Sequence, residues 1–327
     1  MKPSLRAIGH ATLIASVIAG LAACGAAERS NGPSTAAAHT DMSLIVGNLG
    51  DAYYQSLMCG AKKEAAAKGV ALELLGPKAF DTSQQVPIVN GATAKKPDAI
   101  IIAPTDSKAL FPPLQQAHQD GSKIITVDTT LDDTSFLSSQ ISANWTQMGT
   151  LGAQELAKAV GDKGTVLAIF SPPGVTTNDL GRKAFLEEMT KHPGIKPVIQ
   201  YSQGDAGKSA SIVTAALARY PGLAGVMTFN GGDAEGAVTG LREAGKAGGI
   251  ALVAGGAREY QVGLLRDGIA KALLVPAPSK IGAAAVDQAL AAVKGSATQP
   301  TVGTDIVVAT RDNMDEPAIA QSFYVPC

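Results

Sequence analysis

The sequence predicts an α/β protein of two doubly wound, parallel-sheet domains, and three features of the chain point to it. From Met42 onward, short β-branched or aliphatic runs alternate with longer amphipathic segments. Their spacing, about 25–30 residues, is that of βα units, which place parallel strands in a sheet with helices on both faces. The run DAIIIA at 98–103 has no polar alternation, as a strand covered on both sides requires. The roughly 300 residues left after a leader segment are more than one ordinary core accommodates.

The leader comes first. Lys2 and Arg6 precede an apolar run at 11–23, and Leu21-Ala22-Ala23 leads directly into Cys24. A basic start, an apolar stretch and small residues before a cut site describe a secretory signal peptide over 1–23. The cysteine in that place predicts a lipoprotein, with Cys24 carrying the lipid and the chain tethered to a membrane in the periplasm or at the outer cell surface. The run is shorter than the roughly 20 apolar residues of a spanning helix. Residues 24–41 are small and polar without periodicity, and they read as a flexible tether.

Expected strands then follow at 43–48, 71–75, 98–103, 123–127, 165–170, 197–201, 224–228, 251–254, 271–275 and near 305–309. Expected helices lie between them at 52–68, 83–95, 107–119, 146–160, 177–191, 207–219, 232–244, 259–267 and 279–293. The first helix shows the signal well: Tyr54, Leu57, Met58, Ala61 and Ala65 fall on one face, and Gly69 ends it as a C-cap. These strands divide most naturally into two Rossmann-like sheets of five, with a boundary near 140–146.

Several function classes find little support. No GxSxG, GxGxxG, P-loop or CxxC motif occurs. Of the four histidines, His10 lies in the leader, His39 in the tether, and His118 and His192 near the ends of surface helices. Neither a metal or other cofactor nor an enzyme is expected. A net charge of −1 gives no footprint for nucleic acid. Cys59 and Cys327 either bridge or remain free thiols, and sequence does not choose between them.

Parallel sheets bind ligands beyond the carboxyl ends of their strands. That rule selects the loops 48–54, 103–106, 128–130, 171–179, 230–233 and 255–259. They offer Asp51, Tyr53, Tyr54, Asp128, Asn178, Asp179 and Asn230, hydrogen-bonding groups and aromatic faces suited to a small polyhydroxylated molecule. Each has a structural reading too: Asp51 and Asp128 as turn or cap residues, Asn230 as an N-cap, and the tyrosines as core.

Four segments carry a family resemblance: NLGDAYYQSLMCGAKKEAAAKG, PDAIIIAPTDSKAL, KIITVDTT and GVMTFNGGDAEGAVTGLREAGK. Together they resemble the ribose-type family of periplasmic sugar-binding proteins, the type I substrate-binding proteins of ABC importers. The likeness runs from Met42 to about Asn313. It implies ligand contacts at Asp51, Tyr53, Tyr54, Asp128 and Asn230, an ABC permease as partner, and a monomer. It also implies two hinged lobes joined by three crossings, 42–143 with 277–303 and 144–276 with 304–327. The chain departs from the family at Ala103 for Asn, Thr129 and Asp179 for Arg, the AGGA run near Gly256 for Asp, and Pro276 for Gln. Thr129, Asn178 and Asp179 complete the candidate ligand set. Loss of arginines and gain of glycine suggest a sugar or polyol other than ribose. GPKAF, SQQVPIVNGATAKKPDAIII and SPPGVTTND also look like the autoinducer-2-binding branch, so a sensory receptor for a sugar-derived signal is the alternative.

Overall fold

A computed structural model describes residues 40–171, 173–202, 204–324 and 327. The expected signal peptide, Cys24 and all of the tether up to residue 39 lie outside the described residues.

The first sheet contains β1 (Asp41–Ile45), β2 (Ala71–Leu75), β3 (Ala99–Ile102), β4 (Lys123–Val127), β5 (Ser139–Ala143) and β11 (Thr301–Thr304). Its order is β2-β1-β3-β4-β5-β11 and every pairing is parallel. The second contains β6 (Gly164–Phe170), β7 (Ile195–Tyr201), β8 (Leu223–Thr228), β9 (Ala251–Gly255), β10 (Ala270–Val275) and β12 (Val307–Ala309). Its order is β7-β6-β8-β9-β10-β12, parallel except for the antiparallel β12.

The two sheets therefore have six strands each, not five. The two strands the sequence pattern did not mark, β5 and β11, both belong to the first sheet. β5 reads SQISA, polar at three of its five residues, and β11 reads TVGT. Both acquire strand geometry from pairing rather than from propensity, β5 between β4 and β11 and β11 on β5. The Ser139 hydroxyl donates to Gln299 O and the Thr298 hydroxyl to Ser138 O, which locks that pairing. The strand expected at 305–309 is the shorter β12.

Helices cover both faces of each sheet. In the first, α1 (Ala52–Lys68) and α9 (Pro278–Val293) pack on one side, and α2 (Thr82–Ala94) and α3 (Phe111–Gln119) on the other. Ile101 joins Leu57 and Ile281 in one cluster, whereas Ile100 and Ile102 join Val89 and Leu114 in the opposite one. This explains the unbroken apolar run of β3: both faces are core, and all three isoleucines are fully buried. In the second sheet α4 (Trp145–Val160) and α5 (Thr176–Met189) pair on one face, with α6 (Ala206–Arg219) and α7 (Gly231–Glu243) on the other. Two short helices complete the chain order, α8 (Glu259–Arg266) and α10 (Pro317–Ala320).

Caps set the helix ends that matter for the cleft. The Asp51 carboxylate accepts from Tyr53 N–H at 2.8 Å and starts α1. Gly69, at φ 67°, ends it. α3 starts at Phe111 rather than 107, because the Asp106 carboxylate first folds a turn by accepting from Lys108 and Ala109 N–H (2.9 and 2.7 Å). Cys59 on α1 and Cys327 form a disulfide with Cα atoms 5.4 Å apart, which closes the choice the sequence left open.

The α1–α9 contact is close enough to exclude side chains. A Cβ on Gly282 would collide with Leu57 O, and one on Gly60 with Ser279 O. Gly282→Val forces two backbones apart and is expected to cost about 1–3 kcal/mol, read as a lower urea midpoint at unchanged m-value. A midpoint equal to wild type would show that this contact yields.

Candidate functional site

A cavity of about 690 Å³ opens at the carboxyl ends of both sheets. That volume lies in the range of small-molecule sites.

One wall grows from α1 and β4. Tyr53 and Tyr54 occupy the first turn of α1, which the Asp51 cap aims at the strand ends. Their hydroxyls donate to the two carboxylate oxygens of Asp128, at 3.3 Å and 2.7 Å. Asp128 directly follows β4, and its N–H continues the sheet ladder to Ile141 O at 2.9 Å. It adopts φ 62°, a left-handed conformation uncommon for a non-glycine residue. Burial pushes its carboxyl up to about 6, and the Tyr54 and Tyr53 hydroxyls oppose that rise. Burial first, then the Asp128 charge, holds both phenols well above their ordinary value.

The opposite wall grows from β6 and β8. Asn230 stands at the head of α7, yet its side chain does not cap the helix. Its amide donates instead to Asp233 Oδ2 at 3.1 Å and to the Ser171 hydroxyl at 3.2 Å. Asn178 is buried, and its carbonyl accepts from Ser171 N–H at 2.8 Å. Asp233 is buried beside the Ser202 hydroxyl, which donates to it. Burial raises the Asp233 carboxyl to about 6, against the hydrogen bonds from Ser202 and Asn230.

Aromatic rings join the walls. Trp145 lies 6.4 Å from Tyr53 and 5.8 Å from Phe229, centroid to centroid. Its buried indole N–H has no hydrogen-bond partner among the described residues. Phe80 reaches the cavity from the loop before α2 and remains half exposed.

Of the sequence-selected residues, Asp51, Tyr53, Tyr54, Asp128, Thr129, Asn178 and Asn230 line the cavity. The Thr129 hydroxyl is committed to Pro104 O at 2.7 Å. Asp179 does not line it. One carboxylate oxygen of Asp179 accepts from Gly174 N–H at 2.8 Å and the other from Arg182 at 3.0 Å, so the side chain serves its own loop and helix. The departure positions Gly256 and Pro276 are in the lining, whereas Ala103 is buried.

The loss of arginines is incomplete. Arg258 lines the cavity and pairs with Glu235 at 3.2 Å. It sits in the strand-end loop 255–259, so its position was legible even though its role was not. Trp145, the chain's only tryptophan, falls at the expected domain boundary. Tyr324 also lines the cavity, beyond the stretch that carried the resemblance. Among the described residues no cluster of three or more His, Cys, Asp or Glu could hold a metal ion, and no helix is long and apolar enough to cross a membrane.

Comparison with known proteins places these features in a group. Residues 42–297 match the periplasmic binding protein domain family. An ABC transporter solute-binding protein from Agrobacterium vitis, solved with α-D-tagatopyranose, is 37% identical with a TM-score of 0.84, covering 87% of this chain and 99% of that one. A carbohydrate transporter solute-binding protein from Agrobacterium radiobacter, solved with D-arabinose, is 29% identical at TM-score 0.82, covering 88% and 99%. The D-ribose/D-allose-binding protein of Pseudomonas aeruginosa is 28% identical over 223 residues, 65% of this chain and 69% of that protein.

The raised carboxyls give the site a pH signature. In the folded protein Asp128 and Asp233 hold protons up to about pH 6, where unfolded carboxyls have lost theirs. Their contribution to stability is therefore complete below about pH 4 and is lost as pH rises through about 6, of order 3 kcal/mol for each group. Asp128→Asn removes one of them. Relative to wild type, the ligand-free variant is expected to gain urea stability between about pH 4.5 and 7.5. A wild-type-to-variant gap constant across that range would contradict the burial of the charge.

Proposed function

We propose a function from one premise: the chain belongs to the periplasmic binding protein domain family. It is an extracytoplasmic solute-binding protein that captures a neutral pentose or hexose in the cleft and delivers it, unaltered, to an ABC permease. The observation that carries this reading is the pairing of polar walls across one cavity. Asp128 with its two tyrosines faces the Asn230, Asn178, Ser171 and Asp233 network, and aromatic rings lie between. Carboxylate and amide oxygens accept from sugar hydroxyls, the amides donate back, and rings cover the C–H faces.

In this reading the lobes 42–143 with 277–303 and 144–276 with 304–327 close about a hinge, and the protein acts as a monomer. A sugar bridging Asp128 and Asn230 makes contacts available only in the closed form, and that difference drives closure. The relatives named above carry pentoses or hexoses, which supports a sugar over autoinducer-2. Cys24 would carry the lipid that holds the protein at the membrane.

Calorimetry on protein truncated at Cys24 tests the function, with D-tagatose, D-arabinose, D-ribose, D-allose and autoinducer-2 as ligands. We expect a sugar to bind at about 1 μM, near −8 kcal/mol. Asp128→Ala or Asn230→Ala should weaken it by about 1–3 kcal/mol, because hydroxyls are left unpaired in a dry site. Heat from autoinducer-2 alone, or from none of the five, would overturn the sugar assignment.

The anchor has its own test. Cells expressing the full chain and fed a radiolabelled fatty acid should label wild type but not Cys24→Ser. Equal labelling of the two would remove Cys24 from the proposal.

A further inference from the structure

The tail after α10 belongs to both sheets at once. Tyr324 N–H donates to Ala257 O at 2.9 Å, and Phe323 and Tyr324 pack against the second sheet's cluster beside Ala309 and Met314. Three residues later Cys327 is bonded to Cys59 on α1, which lies on the first sheet. Three peptide crossings already join the sheets: β5 to α4, β10 to α9, and β11 to β12. The disulfide is a fourth connection. Cys59 adjoins Gly60, whose Cα lies against Ser279 O just beyond the β10–α9 crossing. The bond therefore sits beside a crossing rather than over the cleft mouth.

Between these two anchors the chain presents Tyr324 to the cavity. Its ring meets Tyr53 edge-on at 6.1 Å and 75°. Its hydroxyl feels Asp51, Asp128 and Arg258, the charged groups of both walls. Domain ends fray unless something ties them down, and the helix that leads into this tail, α10, has four residues.

We propose that Tyr324 is a ligand-contacting, specificity-determining residue, held in the cleft by the Cys59–Cys327 disulfide acting as a fourth covalent crossing between the lobes. The proposal rests on the sugar-binding reading given above. The bond keeps the tyrosine in its bound position before ligand arrives, so no freedom is lost there on binding. It also limits how far the lobes part. Oxidising conditions outside the cytoplasm are where such a bond persists.

The experiment compares oxidised wild type, Tyr324→Phe, Tyr324→Ala, the Cys59→Ser/Cys327→Ser protein and that protein with Tyr324→Ala added. Calorimetry uses D-tagatose, D-arabinose, D-ribose and D-allose, and small-angle scattering is recorded without ligand. Tyr324→Phe should raise Kd about three- to tenfold, by different factors for different sugars, with its melting temperature unchanged. Without the disulfide, Tyr324→Ala should cost less than it does in the oxidised protein, because the ring is no longer held. The ligand-free serine protein should show a larger radius of gyration. Unchanged Kd in Tyr324→Ala for every sugar that wild type binds would overturn the contact. An equal cost of Tyr324→Ala with and without the bond would overturn the holding role. If wild type binds none of the four sugars, the sugar reading has failed, and scattering alone judges the crossing: expansion supports it and an unchanged radius overturns it.

Discussion

The carboxylate of Asp128, buried and gripped by two tyrosine hydroxyls, is the interaction on which the cleft depends. A carboxylate taken out of water is costly unless hydrogen bonds replace its hydration. Here Tyr54 at 2.7 Å and Tyr53 at 3.3 Å do so only in part, since the group still titrates near 6. The same bonds fix the start of α1 against the end of β4, two elements that are distant in sequence. A left-handed backbone at Asp128 is tolerated because the ladder bond to Ile141 and the tyrosine bonds over-determine it. One group thus positions both elements at the cavity.

The second wall repeats the device with different residues. Asp233 is buried, raised to about 6 and partly satisfied by Ser202 and Asn230. Asp128 lines the cavity and Asp233 lies buried behind Asn230, and two carboxyls so placed favour a ligand that brings hydrogen-bond donors and disfavour one that brings negative charge. Arg258 does not reverse this, because Glu235 already pairs it at 3.2 Å. The charge pattern therefore selects a neutral, hydroxyl-rich molecule without reference to its ring size or stereochemistry. The packed rings of Tyr53, Trp145 and Phe229 shape the cavity between the two polar walls.

How much of this was legible depended on where the determining interaction lies. The bounds of α1 were readable, because its cap Asp51, its terminator Gly69 and its apolar face are all local. β3 was readable because burial on both faces leaves an unbroken apolar run. β5 and β11 were not, since SQISA becomes a strand by pairing between β4 and β11, and TVGT by pairing with β5 across more than 150 residues. The cavity residues on the Asp51, Asp128 and Asn230 loops followed from the strand-end rule. Asp179 looked equivalent to Asn178, but on a helix adjacent positions face different ways, and only one of them reaches the cavity. Tyr324 had no local signal: its place follows from packing on the second sheet and from the bond of its N–H to Ala257 O.

The late crossings constrain how the cleft can move. After α9 the chain adds β11 to the first sheet, and two residues later it begins β12 in the second. The linking residue Ile306 donates its N–H to Gln147 at 2.7 Å, and Asn144 N–H, at the first crossing, donates to Thr304 O at 2.9 Å. Two of the three crossings are thus hydrogen-bonded to each other through the first turn of α4. At these two crossings any rotation of one sheet against the other must be absorbed within a few residues, because the flanking strands are held in register. Short, mutually bonded crossings permit a rotation about their own line far more readily than a sliding motion, since sliding would break the Asn144 and Gln147 bonds together.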